Sequence, residues 1–418
     1  MIISKMDEYY PPIKKSSIKQ IYPWLDCLMD HLFFIFFICT SPVTKEYFYG
    51  YSQKIKKYFN GKEVFFLNSG RSALVLALSS LGIKRKDKVA ITAFNCPAVI
   101  DSILNVGADP IFVDINDCGG FNLKQLKKIT REGVKAIIVT HVYGIVDNIK
   151  EIEKICRAEN VFIINDLAQV NSFISNDINE FGDVQVYSFG PEKPIFSLNM
   201  GIITTRDESI ASKISEKYTQ KTVSSVGLVS IFINRWKYYF TFFINKYLPS
   251  LISLFAKNNL IYLFKDKKED ADIKLYENIT IKKANPFQVF LAVMGIEKYR
   301  KRIIKTESNF LLLKNRLNTK VELIAPENYK NIVPHYATIR VGKDRFLLSK
   351  YLAENGVATV WNYYPLYKYV AYSNIAGRAN LSETDKIWKQ VLSLPFRYPL
   401  SEKSIIKIAD LVNNFYGN

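Results

Sequence analysis

Between residues 61 and 205 the chain alternates short Val- and Ile-rich runs with helical stretches, a pattern few folds accommodate. The apolar runs at 64–67, 88–92, 109–114, 135–140, 161–165, 184–187 and 201–205 read as strands. Helices are predicted between them at 73–81, 98–105, 121–129 and 148–158. Strands apolar on both faces must be covered on both faces. The pattern therefore predicts an α/β fold, a mostly parallel seven-stranded sheet with helices on each side. In such sheets, functional residues gather at strand ends. Phe94, His141, Asp166 and Gln169 all fall at or just past one.

From residue 285 the pattern changes to that of a smaller α+β domain. Helices are expected at 289–305, 307–317, 345–355 and 402–415, with a strand at 336–340 and an aromatic stretch at 361–365. The chain thus divides into an N-terminal arm with an apolar segment (1–60), a large domain (61–205), an aromatic and basic insertion (206–284), and a helix linker with a small C-terminal domain (285–418). With 418 residues, 48% of them hydrophobic, there is material for one large core and a second, smaller one.

Several function classes are disfavoured by composition. The five cysteines (27, 39, 96, 118 and 156) form no C-x-x-C pair, which argues against a zinc site or a disulfide framework and suits a reducing cytoplasm. Three histidines do not suggest a multi-histidine metal site. The net charge of +18 invites a nucleic-acid reading, but the lysines are dispersed and no nucleic-acid-binding motif is present. Residues 1–26 lack a secretory layout, and the apolar run 27–39 is shorter than the roughly 20 residues a bilayer span requires. The run 231–256 mixes aromatics with lysines and is interrupted at Lys246 and Pro249. It reads either as cover for the core or as a peripheral contact with the inner face of a membrane.

The chemistry concentrates in two motifs. SFGPEKP (188–194) follows a strand and sets Lys193 on a turn, with the Ser188 hydroxyl five residues earlier. NDLAQ (165–169) closes another strand with Asp166. A lysine amine can condense with a cofactor aldehyde, and a carboxylate can keep a ring nitrogen protonated so that the ring accepts electrons. Alone, Lys193 reads as a solvated surface lysine; its surroundings change that. A third motif, NSGRS (68–72), is a small-residue turn at a helix start, where free backbone N–H groups suit an anion.

Six segments carry a resemblance: NSGRSALVLAL (68–78), residues 88–115, KAIIVTHVYG (135–144), VFIINDLAQ (161–169), GDVQVYSFGPEKP (182–194) and VLSLPFRYPLS (391–401). In this order they resemble the DegT/DnrJ/EryC1/StrS sugar aminotransferases, pyridoxal-phosphate enzymes of fold type I. The resemblance implies that residues 61–205 bind the cofactor. Lys193 would be the Schiff-base lysine and proton shuttle, and Asp166 the partner of the pyridine nitrogen. Gln169 would touch the phenolic oxygen or the sugar, and Phe94 would stack on the ring. Gly70 and Arg71 would offer backbone N–H groups to the phosphate, Ser188 its hydroxyl, and Ser72 would stand in for the family's threonine. Asn285 would reach the phosphate of a partner subunit, making a homodimer with shared sites. The implied activity moves an amino group from glutamate or glutamine to a nucleotide-linked keto-sugar, in cell-surface polysaccharide or glycoside synthesis.

The chain departs from the family at Arg71, at Asn165 where a carboxylate is usual, at 199–201 where a Gly-Gly turn is reduced, and in the insertion. Two other readings keep the fold. One is a binding or regulatory protein without catalysis; the other is a membrane-associated enzyme acting on a lipid-linked or bulky acceptor.

Overall fold

The computed structural model describes residues 45–59, 61–170, 177–190, 192–224, 278–324, 333–341, 345–375 and 379–417. The apolar run at 27–39, the run 231–256 and the basic and acidic stretch 265–270 of the insertion lie outside them. Among the described residues, no helix is long and apolar enough to cross a membrane.

The central sheet holds β1 (Glu63–Leu67), β2 (Lys88–Thr92), β3 (Asp109–Val113), β4 (Val134–Thr140), β5 (Phe162–Asp166), β6 (Val184–Ser188) and β7 (Gly201–Thr205). Their order is β1-β7-β6-β5-β4-β2-β3. Strands β2 to β6 run parallel, and β7 lies antiparallel to both its neighbours. Pro110 falls on β3, the sheet edge, which is where a strand tolerates a missing N–H.

The described helices are α1 (Lys45–Lys56), α2 (Gly70–Ser80), α3 (Pro97–Asn105), α4 (Leu123–Thr130), α5 (Ile149–Ala158), α6 (Asp177–Glu180), α7 (Glu208–Thr219), α8 (Pro286–Arg316), α9 (Arg345–Glu354), α10 (Ser382–Gln390) and α11 (Glu402–Phe415). Side-chain alternation along the strands explains their layering. On β4, Ala136 and Ile138 join a core with α2, α3 and α7, whereas Ile137 and Val139 join one with α4 and α5. Val64 and Phe66 of β1 face a third core, shared with α1, α8 and a second sheet. That sheet is antiparallel, β10-β9-β8, from β8 (Glu322–Ile324), β9 (Ala337–Arg340) and β10 (Val391–Leu394).

Two local differences from the expected pattern have physical causes. The helices expected at 289–305 and 307–317 are one helix, α8, because no Gly or Pro interrupts the junction. Thr306 there turns its hydroxyl back onto the Arg302 carbonyl (3.1 Å) and leaves the ladder running. Helix α2 begins at Gly70, earlier than expected, because Ser69 caps it by accepting the Ser72 N–H at 3.0 Å.

Strands β2 and β4 are neighbours, but the chain leaves β2 for β3 on one side and β4 for β5 on the other. A crevice opens at such a switch point, outside the carboxyl ends of the strands. Asp114, just past β3, fastens the later part of the chain beside it. Its carboxylate accepts the N–H groups of Glu383 and Thr384 (2.9 and 2.8 Å) and the Thr384 hydroxyl (2.7 Å) at the start of α10.

Candidate active site

The first wall of the crevice is the start of α2, where two glycines let backbones approach closely. A Cβ on Gly70 would lie 2.8 Å from both Cβ and Oγ of Ser188. One on Gly201 would lie 2.3 Å from the Ser69 carbonyl oxygen. The unbonded N–H groups of the first helical turn, the helix dipole and the Ser188 hydroxyl thereby meet in one place, which is the chemistry a phosphate needs. Arg71 is exposed on this turn, and its charge reaches Cys96 and Asp101. Ser72 is turned inward, its N–H and hydroxyl engaged with Ser69 Oγ (3.0 and 2.8 Å) and its hydroxyl also with the Thr280 carbonyl (3.3 Å).

Asn285 caps α8, its side-chain oxygen accepting the Gln288 N–H at 2.8 Å. Gln288 in turn donates to the carbonyls of Asn68 (3.1 Å) and Leu198 (2.8 Å), which moors the start of α8 to the turn before Gly70. The reduced turn at 199–201 keeps one glycine, Gly201, and is entered through two non-glycine residues with positive φ. Leu198 and Asn199 both take positive φ (45° and 66°), and Phe189 N–H closes the loop onto Met200 O at 2.8 Å.

Deeper in, Asp166 ends β5 and is buried. Thr140 donates to one carboxylate oxygen (3.0 Å) and the Ala168 N–H to the other (3.1 Å). Burial raises its pKa, and the charge of Lys193 opposes that rise. Lys193 stands half-buried on the turn after β6, the strand beside β5, with its N–H on the Gly190 carbonyl (3.1 Å). Its charge acts on Asp166, Cys96 and His335, so the lysine lies among all three.

The aromatic side is built around Phe94, fully buried past the end of β2, with Tyr143 and Tyr363 edge-on to it at 6.1 Å each. Gln169 joins this wall to the rest. Its oxygen accepts the Tyr143 N–H (3.0 Å), and its nitrogen donates to the Tyr363 hydroxyl (2.7 Å). Burial holds the Tyr363 phenol protonated. Tyr143 sits at φ 61°, a strained conformation for a residue with a side chain, of the sort that collects at functional sites.

His141 belongs to the scaffold and not to the crevice. Its Nδ1 accepts the Asp147 N–H (3.2 Å), so its proton lies on Nε2, which pairs with Asn165 Oδ1 at 2.8 Å. Asn165 Nδ2 donates on to the carbonyls of Ile178 (2.7 Å) and Phe181 (3.2 Å). An amide at 165 serves both partners; a carboxylate would face two carbonyl oxygens.

The structure thus gathers Asp166, Lys193, Phe94 and Gln169 in one crevice, with Gly70, Arg71 and Ser188 at its phosphate-suited edge. Sequence reasoning missed Thr140, Tyr143, Cys96, Tyr363, His335 and Arg397. The aromatic stretch 361–365 and the scarcity of histidine were the available signals. The donors present fit a phosphorylated pyridine aldehyde: an N–H cradle, a buried carboxylate, an amine and an aromatic face.

The chain is similar to known proteins over most of its length. The DegT/DnrJ/EryC1/StrS aminotransferase family pattern matches residues 44–235 and 287–413. A dTDP-3-amino-3,6-dideoxy-alpha-D-galactopyranose transaminase of Aneurinibacillus thermoaerophilus is 26% identical over 372 residues, 87% of this chain and 89% of that protein. An uncharacterized protein of Methanocaldococcus jannaschii is 32% identical over 167 residues, 39% of this chain and 43% of that protein. The match likewise spans less than half the length of several other curated relatives. Among solved structures, NtdA of Bacillus subtilis, with its cofactor PMP bound, superposes with a TM-score of 0.67 at 20% identity, covering 93% of this chain and 81% of that one.

Proposed function

The chain belongs to the DegT/DnrJ/EryC1/StrS aminotransferase family, and from that membership we propose that it is a pyridoxal-phosphate-dependent transaminase acting on a nucleotide-linked keto-sugar. The observation that carries the reading is the placement of Asp166 and Lys193 at adjacent strand ends, with the Gly70–Ser188 contact at the edge of the same crevice. The relative from Aneurinibacillus thermoaerophilus, matched along most of its length, supports a sugar acceptor. Glutamate or glutamine is the proposed amino donor.

Pyridoxal phosphate, when bound, supplies the electron sink that stabilises a carbanion at the reacting carbon. The chain's own residues do the rest. Asp166, aimed by Thr140 and Ala168, holds a proton on the ring nitrogen. Lys193 takes the proton from the reacting carbon and returns it, as base and then acid. Phe94 gives the ring a flat apolar face, and Gln169, fixed by Tyr143 and Tyr363, holds the phenolic oxygen. The N–H groups of Gly70 and Arg71 and the Ser188 hydroxyl take the phosphate. Asn285 would complete the phosphate site of a second subunit, so a homodimer with shared sites is part of the proposal. The net charge of +18 favours the approach of a diphosphate-bearing substrate. Cell-surface polysaccharide or glycoside synthesis is the setting this chemistry fits.

An absorbance spectrum tests the reading. With pyridoxal phosphate added, the protein should show a band near about 410–430 nm that shifts toward about 330 nm with glutamate, and Lys193→Ala should lack it. A wild-type protein without any Lys193-dependent band would overturn the proposal.

A further inference from the structure

His335 is the second buried histidine beside this crevice, and nothing in the mechanism above uses it. It precedes β9 and is 1% exposed. Its N–H bonds the Tyr143 carbonyl, and its backbone N would lie 2.7 Å from a Cβ on Gly144, as would the Gln169 carbonyl oxygen. The residue is therefore wedged against the Tyr143–Gln169 wall. The Arg397 guanidinium donates to its Nδ1 and, through Nε at 2.9 Å, to its carbonyl oxygen. With Nδ1 accepting, the ring proton lies on Nε2. That N–H is buried and has no partner. Buried donors are nearly always paired, so this unpaired one, set against the Tyr143–Gln169 wall, has a bond left for a ligand to complete. The charge of Lys193 also reaches this ring.

Resting on the transaminase reading, we propose that His335 recognises the carboxylate of the amino donor: its Nε2–H donates to a carboxylate oxygen, and Arg397, bonded behind it, supplies the positive charge. The carbon that reacts near Lys193 bears a carboxylate in an amino acid and none in a sugar, and both substrates use one pocket in turn. A guanidinium aimed straight into the pocket would be stranded whenever the sugar is bound. A neutral N–H with the cation one bond away makes a charge-strengthened bond to the carboxylate and leaves no bare charge facing the sugar.

Two measurements test this on the full chain. The first uses protein labelled with ¹⁵N-histidine, tractable because the chain has three histidines. Adding 2-oxoglutarate should move the His335 Nε2 resonance, assigned by its loss in His335→Gln, and leave that of His141 in place. The second follows the two half-reactions by absorbance. His335→Leu should raise the half-saturating glutamate concentration by about tenfold or more, with the maximal rate little changed and the sugar half-reaction unaffected. His335→Gln, which keeps an N–H donor at similar reach, should recover part of the loss. An unmoved resonance at saturating 2-oxoglutarate, or an equal loss in both half-reactions, would overturn the assignment. If His335→Leu does not fold, the glutamine variant and the wild-type spectrum decide. A wild type that never reacts with an amino acid would instead strike at the transaminase reading itself, so the two failures are distinguishable.

Discussion

The end of β4 and the entrance to β9 each bury a histidine beside the same crevice. At the end of β4, both nitrogens of His141 are matched, one by a backbone N–H and the other by an amide oxygen whose own nitrogen is matched in turn. At the entrance to β9, one nitrogen of His335 is matched and the other is buried with nothing to bond. The two rings share their burial and their neutral charge state, so burial and charge do not reveal which one serves a substrate. Their pairing is what differs: His141 is saturated within the frame, and His335 keeps one donor unbonded, the difference on which the proposed carboxylate contact rests.

The comparison can be broken most directly at the saturated end. His141→Leu strands the Asp147 N–H and the Asn165 oxygen together, and the expected loss is on the order of 4 kcal/mol of folding stability. Denaturant unfolding measures it; a loss below about 1 kcal/mol would mean that the network is not what holds this corner together.

Acid gives the next largest effect. Burial pushes the pKa of His141 down to about 4, and burial with two nearby cations lowers that of His335 as well. Both groups bind protons more readily unfolded than folded, so their stabilisation is complete above about pH 6.5 and is lost as pH falls toward the folded values. For His141 the loss between about pH 6.5 and 4 reaches roughly 3 kcal/mol. Unfolding curves across that range should show the slope in the wild type and a shallower one in His141→Leu. Equal slopes would remove the buried neutral histidine from the account.

The smallest effect sharpens the contrast. His335→Gln should change the unfolding free energy by less than about 1 kcal/mol, because the amide oxygen can accept from Arg397 in place of Nδ1 and the Nε2–H has no bond in the ligand-free fold to lose. A large destabilisation there would make His335 a second frame residue.

What was legible in the sequence follows the reach of each signal. Phe94, Asp166, Gln169 and Lys193 each sit within a few residues of a strand end, so strand periodicity located them and the topology brought them together. The Gly70 turn was legible for the same reason. Tyr363, His335 and Arg397 reach the crevice from segments distant in the chain, and no local pattern announces that convergence. His141 lay at a strand end like the others, and only its partners show that it faces the frame. Thr306 at a helix junction shows a smaller limit: a helix is readily cut at a threonine on paper, whereas its hydroxyl bonds within the helix.

Asp114 fastens residues 383–384 onto the edge of a sheet whose last strand, β7, ends at Thr205. The crevice is therefore finished in a fixed order during synthesis. Its cradle, carboxylate and lysine are all made before its far wall of His335, Tyr363 and Arg397, and before the residues that Asp114 clasps. At roughly 5–20 residues per second, a growing chain carries the half-built crevice for on the order of ten seconds or more. A chain cut short in that interval holds Asp166 and Lys193 but has neither His335 nor the residues that Asp114 latches.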